Sequence, residues 1–230
     1  MYKIDCVILA AGKATRMNMN VNKHFLIMNG KPIIWYAINK FLNHHYVSRI
    51  ILVVSDEDRC TFESEILKKY FEGENIFLVL GGKERQDSLS NALEFVESEY
   101  VLVHDGARPF VSFECITQGI EKAYEYGASS SYVLPKDTIK IREGEESFKT
   151  LNRNDLLCIQ TPQCFKTKLL INAYDYVKKN NKVVTDESSA LDYIGENTHF
   201  YLGDYFNIKI TTKEDLILSE GILNNILGEF

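Results

Sequence analysis

Short apolar runs alternate with helical patterns through the first two thirds of this chain. Ile4–Leu9, Ile50–Val54, Ile76–Leu80, Tyr100–Val103 and Ser130–Leu134 are runs of strand length. Between them, residues 32–43, 59–70, 88–97 and 113–126 carry apolar residues at helical spacing. Pro32 suits a first helical turn, and Ser112 is placed to cap the helix that follows it. Strand and helix in regular alternation predict an α/β protein with a mainly parallel sheet covered on both faces. In such sheets ligands gather beyond the carboxyl ends of the strands. The loops at 10–23, 81–88 and 104–109 all follow strands and are expected to converge on one site.

Residues 137–152 break this rhythm. Thr138-Ile-Lys-Ile-Arg alternates, Glu143-Gly-Glu-Glu turns the chain, and Ser147-Phe-Lys-Thr-Leu returns, which predicts a β-hairpin with an acidic, exposed tip. Such a projecting hairpin serves as a lid, a flap or a dimerisation arm. Two helices, 166–179 and 187–194, a strand at 199–203 and a final helix complete the chain. Thr211-Thr-Lys-Glu214 reads as the capping box of that last helix.

The first strand ends abruptly at Ala10, Ala11 and Gly12, small residues that let a ligand lie against backbone N–H groups. Arg16 and Lys23 follow, with the fixed positive charge that a triphosphate requires. The loop lacks the three glycines of a dinucleotide fingerprint and the Ser or Thr that closes a P-loop, which disfavours both classes. Gly81-Gly82 and Ser88 open a helix after the third strand, where glycines admit a flat base and a hydroxyl can bond to it. Taken alone, that segment is an ordinary turn with Ser88 as a cap. Asp105, at the end of a strand and followed by small residues, is placed as a hard-cation ligand, as a partner of Arg108, or as both. Mg²⁺ there would offset charge on phosphate oxygens.

Composition narrows the setting. The 230 residues carry a net charge of -6, with 45% hydrophobic and 25% charged residues. One domain is expected over 1–230, with 137–152 as an arm. The acidic balance argues against a nucleic-acid partner or an anionic membrane surface. No apolar stretch has the length of a span, so a cytoplasmic protein is expected. Five scattered cysteines, with no Cys-x-x-Cys pair, suit reduced and mostly buried thiols. His44 and His45 are expected at the surface or in a capping role, since adjacent helical residues do not face one another.

In order along the chain stand Leu9-Ala-Ala-Gly-x-x-x-Arg16-Met, Asn22-Lys23-x-Phe25, Gly81-Gly-x-Glu-Arg85-x-x-Ser88 and Val103-His-Asp-Gly-Ala-Arg108-Pro-Phe. Pro135-Lys-Asp-Thr138-Ile-Lys, Gln160-Thr-Pro-Gln163, Thr185-Asp-Glu-x-Ser189 and Asn207-Ile-Lys209-Ile-Thr-Thr follow. Over about Val7 to Leu216 the chain resembles the 2-C-methyl-D-erythritol 4-phosphate cytidylyltransferases. The resemblance implies a Rossmann-like sheet of the nucleotide-diphospho-sugar transferase type and a homodimer clasped through the 137–152 arm. It also implies CTP, a sugar-alcohol phosphate and Mg²⁺ as reactants and cofactor. Arg16 and Lys23 match residues that stabilise charge at the α-phosphate. Arg153 and Lys209 match those that hold the incoming phosphate, Arg153 reaching the partner subunit's site. Ala10, Ala11, Gly12, Gly82 and Ser88 match the nucleotide contacts. Asp105, Arg108, Thr138 and Thr161 match substrate contacts, and Asp105 also matches the metal ligand.

The chain departs from the pattern in places. An Asp that some members carry before the Asn-Ile-Lys segment is Phe206 here. Asp204, two residues earlier, would point the same way in an extended strand, and a one-carboxylate metal site is expected. The Pro that often precedes the loop lysine is Asn22. Lys83 adds positive potential near the nucleotide. Ribitol-5-phosphate cytidylyltransferases share the fold and most charged residues, and an aromatic at 206 is reminiscent of them. Ala10-Ala11-Gly12, His104-Asp-Gly-Ala-Arg and Thr185-Asp-Glu-Ser-Ser are closer to the methylerythritol enzymes.

Overall fold

The computed structural model describes residues 2–12 and 22–228. Its parallel strands are β1 (Ile4–Leu9), β4 (Val47–Val54), β5 (Ile76–Leu80) and β6 (Tyr100–Asp105). With β7 (Ala128–Val133), β10 (Cys158–Lys166) and β11 (His199–Leu202) they form a seven-stranded sheet ordered β11-β7-β10-β6-β1-β4-β5. β1 pairs in parallel with β4 and β6, and β11 with β7. Leu9 lies level with Val53 on one side and Asp105 on the other, so these strands end along one edge.

Side chains of β1 alternate between two cores because a strand's residues point to opposite faces. Ile4, Cys6 and Ile8 join the first core. There they meet α1 (Ile33–Leu42), a helix formed by α2 (Arg59–Thr61), a π-helical turn (Phe62–Leu67) and α3 (Lys68–Tyr70), and α5 (Phe113–Tyr126). Val7 and Leu9 join the second core with α4 (Arg85–Leu93), α6 (Thr167–Lys179) and α7 (Glu187–Asp192). A short β2–β3 hairpin (Ile27–Met28 and Lys31–Pro32) and α8 (Lys213–Gly228) share a third cluster that includes Met28, Ile33, Ile210 and Leu223. The expected α/β sheet with helices on both faces is present.

β10 is the strand that the hydrophobic pattern does not predict. It runs antiparallel between β6 and β7 and buries Gln160, Thr161 and Gln163. Pro162 sits where its pairing with β7 is interrupted, between Ile159 and Gln163, the kind of irregularity that tolerates a proline inside a sheet. Polar residues and a proline hide it from a periodicity argument.

Helix starts need correcting in three places. Pro32 precedes α1 and pairs with Ile27 in the small hairpin. α4 is capped by Glu84 in a box with Asp87, and Ser88 lies inside the helix. For α8, the Asp215 carboxylate accepts from the Thr211 and Thr212 N–H groups at 2.8 and 2.9 Å, while Thr212 Oγ1 accepts from the Asp215 N–H at 3.3 Å. The box is therefore Thr212 with Asp215, one residue beyond Thr211 and Glu214. Ser112 caps α5 as expected, accepting from the Cys115 N–H at 3.1 Å.

β8 (Lys140–Arg142) and β9 (Phe148–Thr150) form the hairpin, and all six of their residues are exposed. Cys6, Cys115 and Cys164 are buried thiols, while Cys60 and Cys158 are exposed; all five are free. His44 corrects its surface expectation. It lies past the end of α1, is buried, contacts Thr117 Oγ1 through Nε2 at 3.0 Å, and stacks on His45 with ring centroids 4.8 Å apart. Among the described residues no helix is long and apolar enough to cross a membrane.

Candidate active site

Beyond the ends of β1, β4, β5 and β6 opens a cavity of about 580 Å³. Ala11 and Gly12 line it from the end of β1, and Lys23 and His24 from the segment that follows. Ser55, Asp56 and Glu57 line it after β4, residues 81–85 and Ser88 after β5, Asp105 at the end of β6 and Ala107 just beyond it, and Lys209 after β11. The three expected loops converge here. The β4 loop is an addition that its sequence did not announce. Arg16 lies outside the described residues.

The glycines of the β5 loop are required by packing. A Cβ on Gly81 would stand 2.5 Å from Ala11 Cβ, and one on Gly82 would stand 2.3 Å from Asp87 Cβ. The Gly82 N–H donates to Ser88 Oγ at 3.0 Å, and the Ser88 hydroxyl donates to the Glu84 carbonyl at 3.0 Å. Ser88 thus shapes the loop, although it also lines the cavity. Ala10 is fully buried behind this surface, with its N–H bonded to the Val53 carbonyl at 2.7 Å.

Asp105 is the electrostatic centre. Its Oδ2 lies 2.7 Å from Lys209 Nζ and 3.8 Å from Arg108 Nε, and its Oδ1 lies 3.2 Å from an Arg85 amino group. Burial by itself would raise the Asp105 carboxyl, but Arg85, Lys209 and Arg108 together hold it far below the usual carboxylate range. Arg85 also pairs with Glu187, whose side chain has no exposure, and Glu187 receives a third bond from the Tyr174 hydroxyl at 3.4 Å. This Arg85–Glu187 pair spans α4 and α7 and aims Arg85 at Asp105. Arg85 stands within a motif of the sequence, but nothing near it in the chain announces this role. Its partner stands 102 residues away, and no local pattern links the two.

Behind Asp105 runs a chain of buried polar groups. The Asp105 N–H donates to Thr161 Oγ1 at 3.1 Å, and that hydroxyl lies 3.0 Å from His104 Nδ1. His104 Nε2 lies 3.0 Å from the Arg108 carbonyl, which only accepts, so Nε2 carries the proton and Nδ1 accepts from Thr161. Burial pushes the His104 pKa down to about 4, which keeps this tautomer neutral. Thr161 therefore holds the loop from within the protein and does not line the cavity.

Lys209 owes its position to the same framework. The Asn207 amide donates to the Thr161 carbonyl at 2.7 Å, Arg108 donates to the Asn207 carbonyl at 2.8 Å, and the Ile210 N–H donates to the Ala107 carbonyl at 2.9 Å. Arg108 is mostly buried in this role and does not reach the cavity surface. Asp204 does not lie in an extended strand with Phe206. The two share a turn in which Asp204 Oδ1 accepts the Phe206 N–H at 2.8 Å, and Phe206 is exposed outside the cavity. Thr138 and Arg153 are exposed and also stand outside it; Arg153 donates to the Lys136 carbonyl at 3.1 Å.

The family model for IspD, 2-C-methyl-D-erythritol 4-phosphate cytidylyltransferase, matches residues 4–225. The chain belongs to this family. A 2-C-methyl-D-erythritol 4-phosphate cytidylyltransferase of Clostridium botulinum is 46% identical over 98% of the chain and 100% of its own length. The crystal structure of 4-diphosphocytidyl-2C-methyl-D-erythritol synthase from Anaerococcus prevotii superposes with a TM-score of 0.86 at 32% identity. That match covers 97% of this chain and 96% of the other. The Francisella tularensis enzyme gives 0.81 at 30% identity, covering 96% and 99%. In this member of the cytidylyltransferase family, Lys23, Lys209 and Asp105 line one cavity.

Proposed function

We propose that this chain transfers the cytidylyl group of CTP to 2-C-methyl-D-erythritol 4-phosphate. The observation that carries the reading is the family match over residues 4–225, which includes every loop that meets at the cavity. A phosphate oxygen of the substrate attacks the α-phosphorus of CTP. A new phosphoanhydride forms as the bond to the β-phosphate oxygen breaks, and pyrophosphate leaves. Catalysis of this kind rests on positioning and charge stabilisation. Arg16 and Lys23 take the charge at the α-phosphate, and Lys209 holds the incoming phosphate. The backbone at Ala11, Gly12 and Gly82 faces the nucleotide, with Ala10 buried behind it and Ser88 as its support.

Asp105 suits Mg²⁺. It is an ionised hard oxygen donor at the cavity wall, and its closest cation, Lys209, is one-third exposed and lines the same cavity. When bound, the ion would neutralise charge on the phosphate oxygens. One protein carboxylate with phosphate ligands is an ordinary arrangement for this cation.

Exposed Ile141 and Phe148 on the hairpin support a homodimer built through the arm. In that dimer Arg153 and Thr138 act at the partner's cavity. Free cysteines and the acidic charge balance support a cytoplasmic enzyme. The test is magnesium-dependent pyrophosphate release from CTP, with 2-C-methyl-D-erythritol 4-phosphate and D-ribitol 5-phosphate in parallel. A large kcat/KM preference for the first is expected, and a preference for the second overturns the substrate. Mixed dimers of Arg16→Ala and Arg153→Ala subunits recover part of the activity if the site is shared; verified heterodimers with none refute the sharing.

A further inference from the structure

Asn22 stands immediately before the cavity lysine, where the family's pattern often has proline, and its backbone has φ -62° and ψ 130°. The φ is the one that a proline ring would impose, and the ψ lies in the extended region that proline also adopts. Asparagine has no ring, so something else must hold them. The side chain does this from both ends. Its Oδ1 accepts the His24 N–H at 3.1 Å, and its Nδ2 donates to Asp58 Oδ2 at 2.7 Å. The first bond is a local cap. The second crosses 36 residues to the loop after β4, and capping does not require it.

Asp58 is itself fixed. Its Oδ2 accepts the Ser55 hydroxyl at 2.6 Å, its N–H donates to Ser55 Oγ at 3.2 Å, and its carbonyl accepts the Phe62 N–H at 2.9 Å. Ser55, Asp56 and Glu57 line the same cavity as Lys23. An amide bonded to a carboxylate at 2.7 Å restricts the freedom of the backbone on which Lys23 sits. We propose that Asn22 and Asp58 form a positioning latch for Lys23, in which two side-chain bonds replace the constraint of a proline ring. The latch ties the lysine to the β4 loop as well as to its own helical turn, 23–25. The proposal rests on the catalytic reading of Lys23 given above.

The test compares wild type, Asn22→Ala, Asp58→Ala, Asn22→Pro and the Asn22→Pro/Asp58→Ala double variant. Steady-state kinetics with CTP and methylerythritol phosphate is run beside hydrogen exchange of the 23–28 segment. Asp58→Ala and Asn22→Ala are each expected to lower kcat about tenfold with little change in KM for CTP, and to speed exchange at His24 and Phe25. Asn22→Pro is expected to keep kcat within about twofold and to make Asp58→Ala nearly silent, since the ring then holds the torsion. A merely structural aspartate would cost the same in both backgrounds, and that result overturns the latch. So would unchanged kcat and exchange in Asp58→Ala, or a folded Asn22→Pro as impaired as Asn22→Ala. If Asn22→Pro does not fold, the Asn22→Ala/Asp58→Ala double variant decides: no worse than either single supports the latch, additive losses refute it. Lys23→Ala separates the two readings, because intact turnover there removes the lysine from catalysis while exchange still reports on the latch.

Discussion

Strands β1, β4 and the body of β6 bury runs such as Val7–Leu9, Ile50–Val54 and Val101–Val103, whereas β7 and β10 bury Ser129, Ser130, Ser131, Gln160, Thr161 and Gln163. The parallel half gains stability from removing aliphatic surface from water on both faces. The half beyond β6 spends its interior on hydrogen bonds. Ser129 donates to the Gly119 carbonyl and Gln163 to Asp186, while Thr161 receives the Asp105 N–H. Buried polar groups of this kind demand particular partners in particular directions, which apolar contacts do not. One half therefore mainly sets stability and the line of strand ends. The other sets where Asp105 and Lys209 stand.

Truncation in the apolar half should separate these roles most strongly. Ile51→Ala removes a fully buried side chain and should cost about 2–5 kcal/mol in urea unfolding. Its kcat, measured where the variant is fully folded, should match wild type; a clear loss would break the division of labour.

Among the described residues three lysines line the cavity, and two of them come from opposite halves, Lys23 after β1 and Lys209 after β11. Lys23→Ala should lower kcat about a hundredfold, or about 3 kcal/mol, while CTP still binds. Lys209→Ala should do the same with a larger rise in KM for the sugar-alcohol phosphate. Equal, small effects from both would show that neither lysine meets the reacting charge.

Acid should weaken the fold through two buried histidines. Burial pushes His24 down to about 3 and His104 down to about 4. In the unfolded chain they protonate near pH 6.5, so the unfolded state binds more protons below that value. Stability should fall by about 2 kcal/mol per histidine between pH 7 and 5. Asp105 adds its own loss only below about pH 4, since its folded pKa is lowered. Urea midpoints that stay level from pH 7 to 5 would mean that these rings are not held neutral.

The smallest stability change should come from the polar half. Thr161→Val keeps the shape but leaves the Asp105 N–H and His104 Nδ1 without a partner, at a cost of about 1–2 kcal/mol. Its kcat should nevertheless fall further than that of Ile51→Ala. The reverse order would remove Thr161 from the positioning of Asp105.

The same contrast explains what could be read beforehand. β1 and β5 match their apolar runs end to end, and α5 matches its periodic segment from Phe113 to Tyr126. The cavity residues Ala11, Gly12, Lys23, Gly82, Asp105 and Lys209 were nameable because strand ends and motifs locate them. β10 was not legible, because its buried side chains are polar and Pro162 interrupts it. The Asp105–Arg108 pair was expected and is present, but the work of Arg85 and the second partner of Arg108 were not legible, because Glu187 and the Asn207 carbonyl lie far along the chain.

By itself the sequence determined the alternation of strand and helix, the edge on which ligand loops gather, and the family. These depend on periodicity and on residue types at short spacing, where neighbours in the chain are neighbours in space. Only the tertiary structure decided that three cations share Asp105, that Thr161 holds the loop from behind, and that Asn22 reaches Asp58. A hydrogen bond or an ion pair is made between atoms within about 3 Å, whatever their separation along the chain.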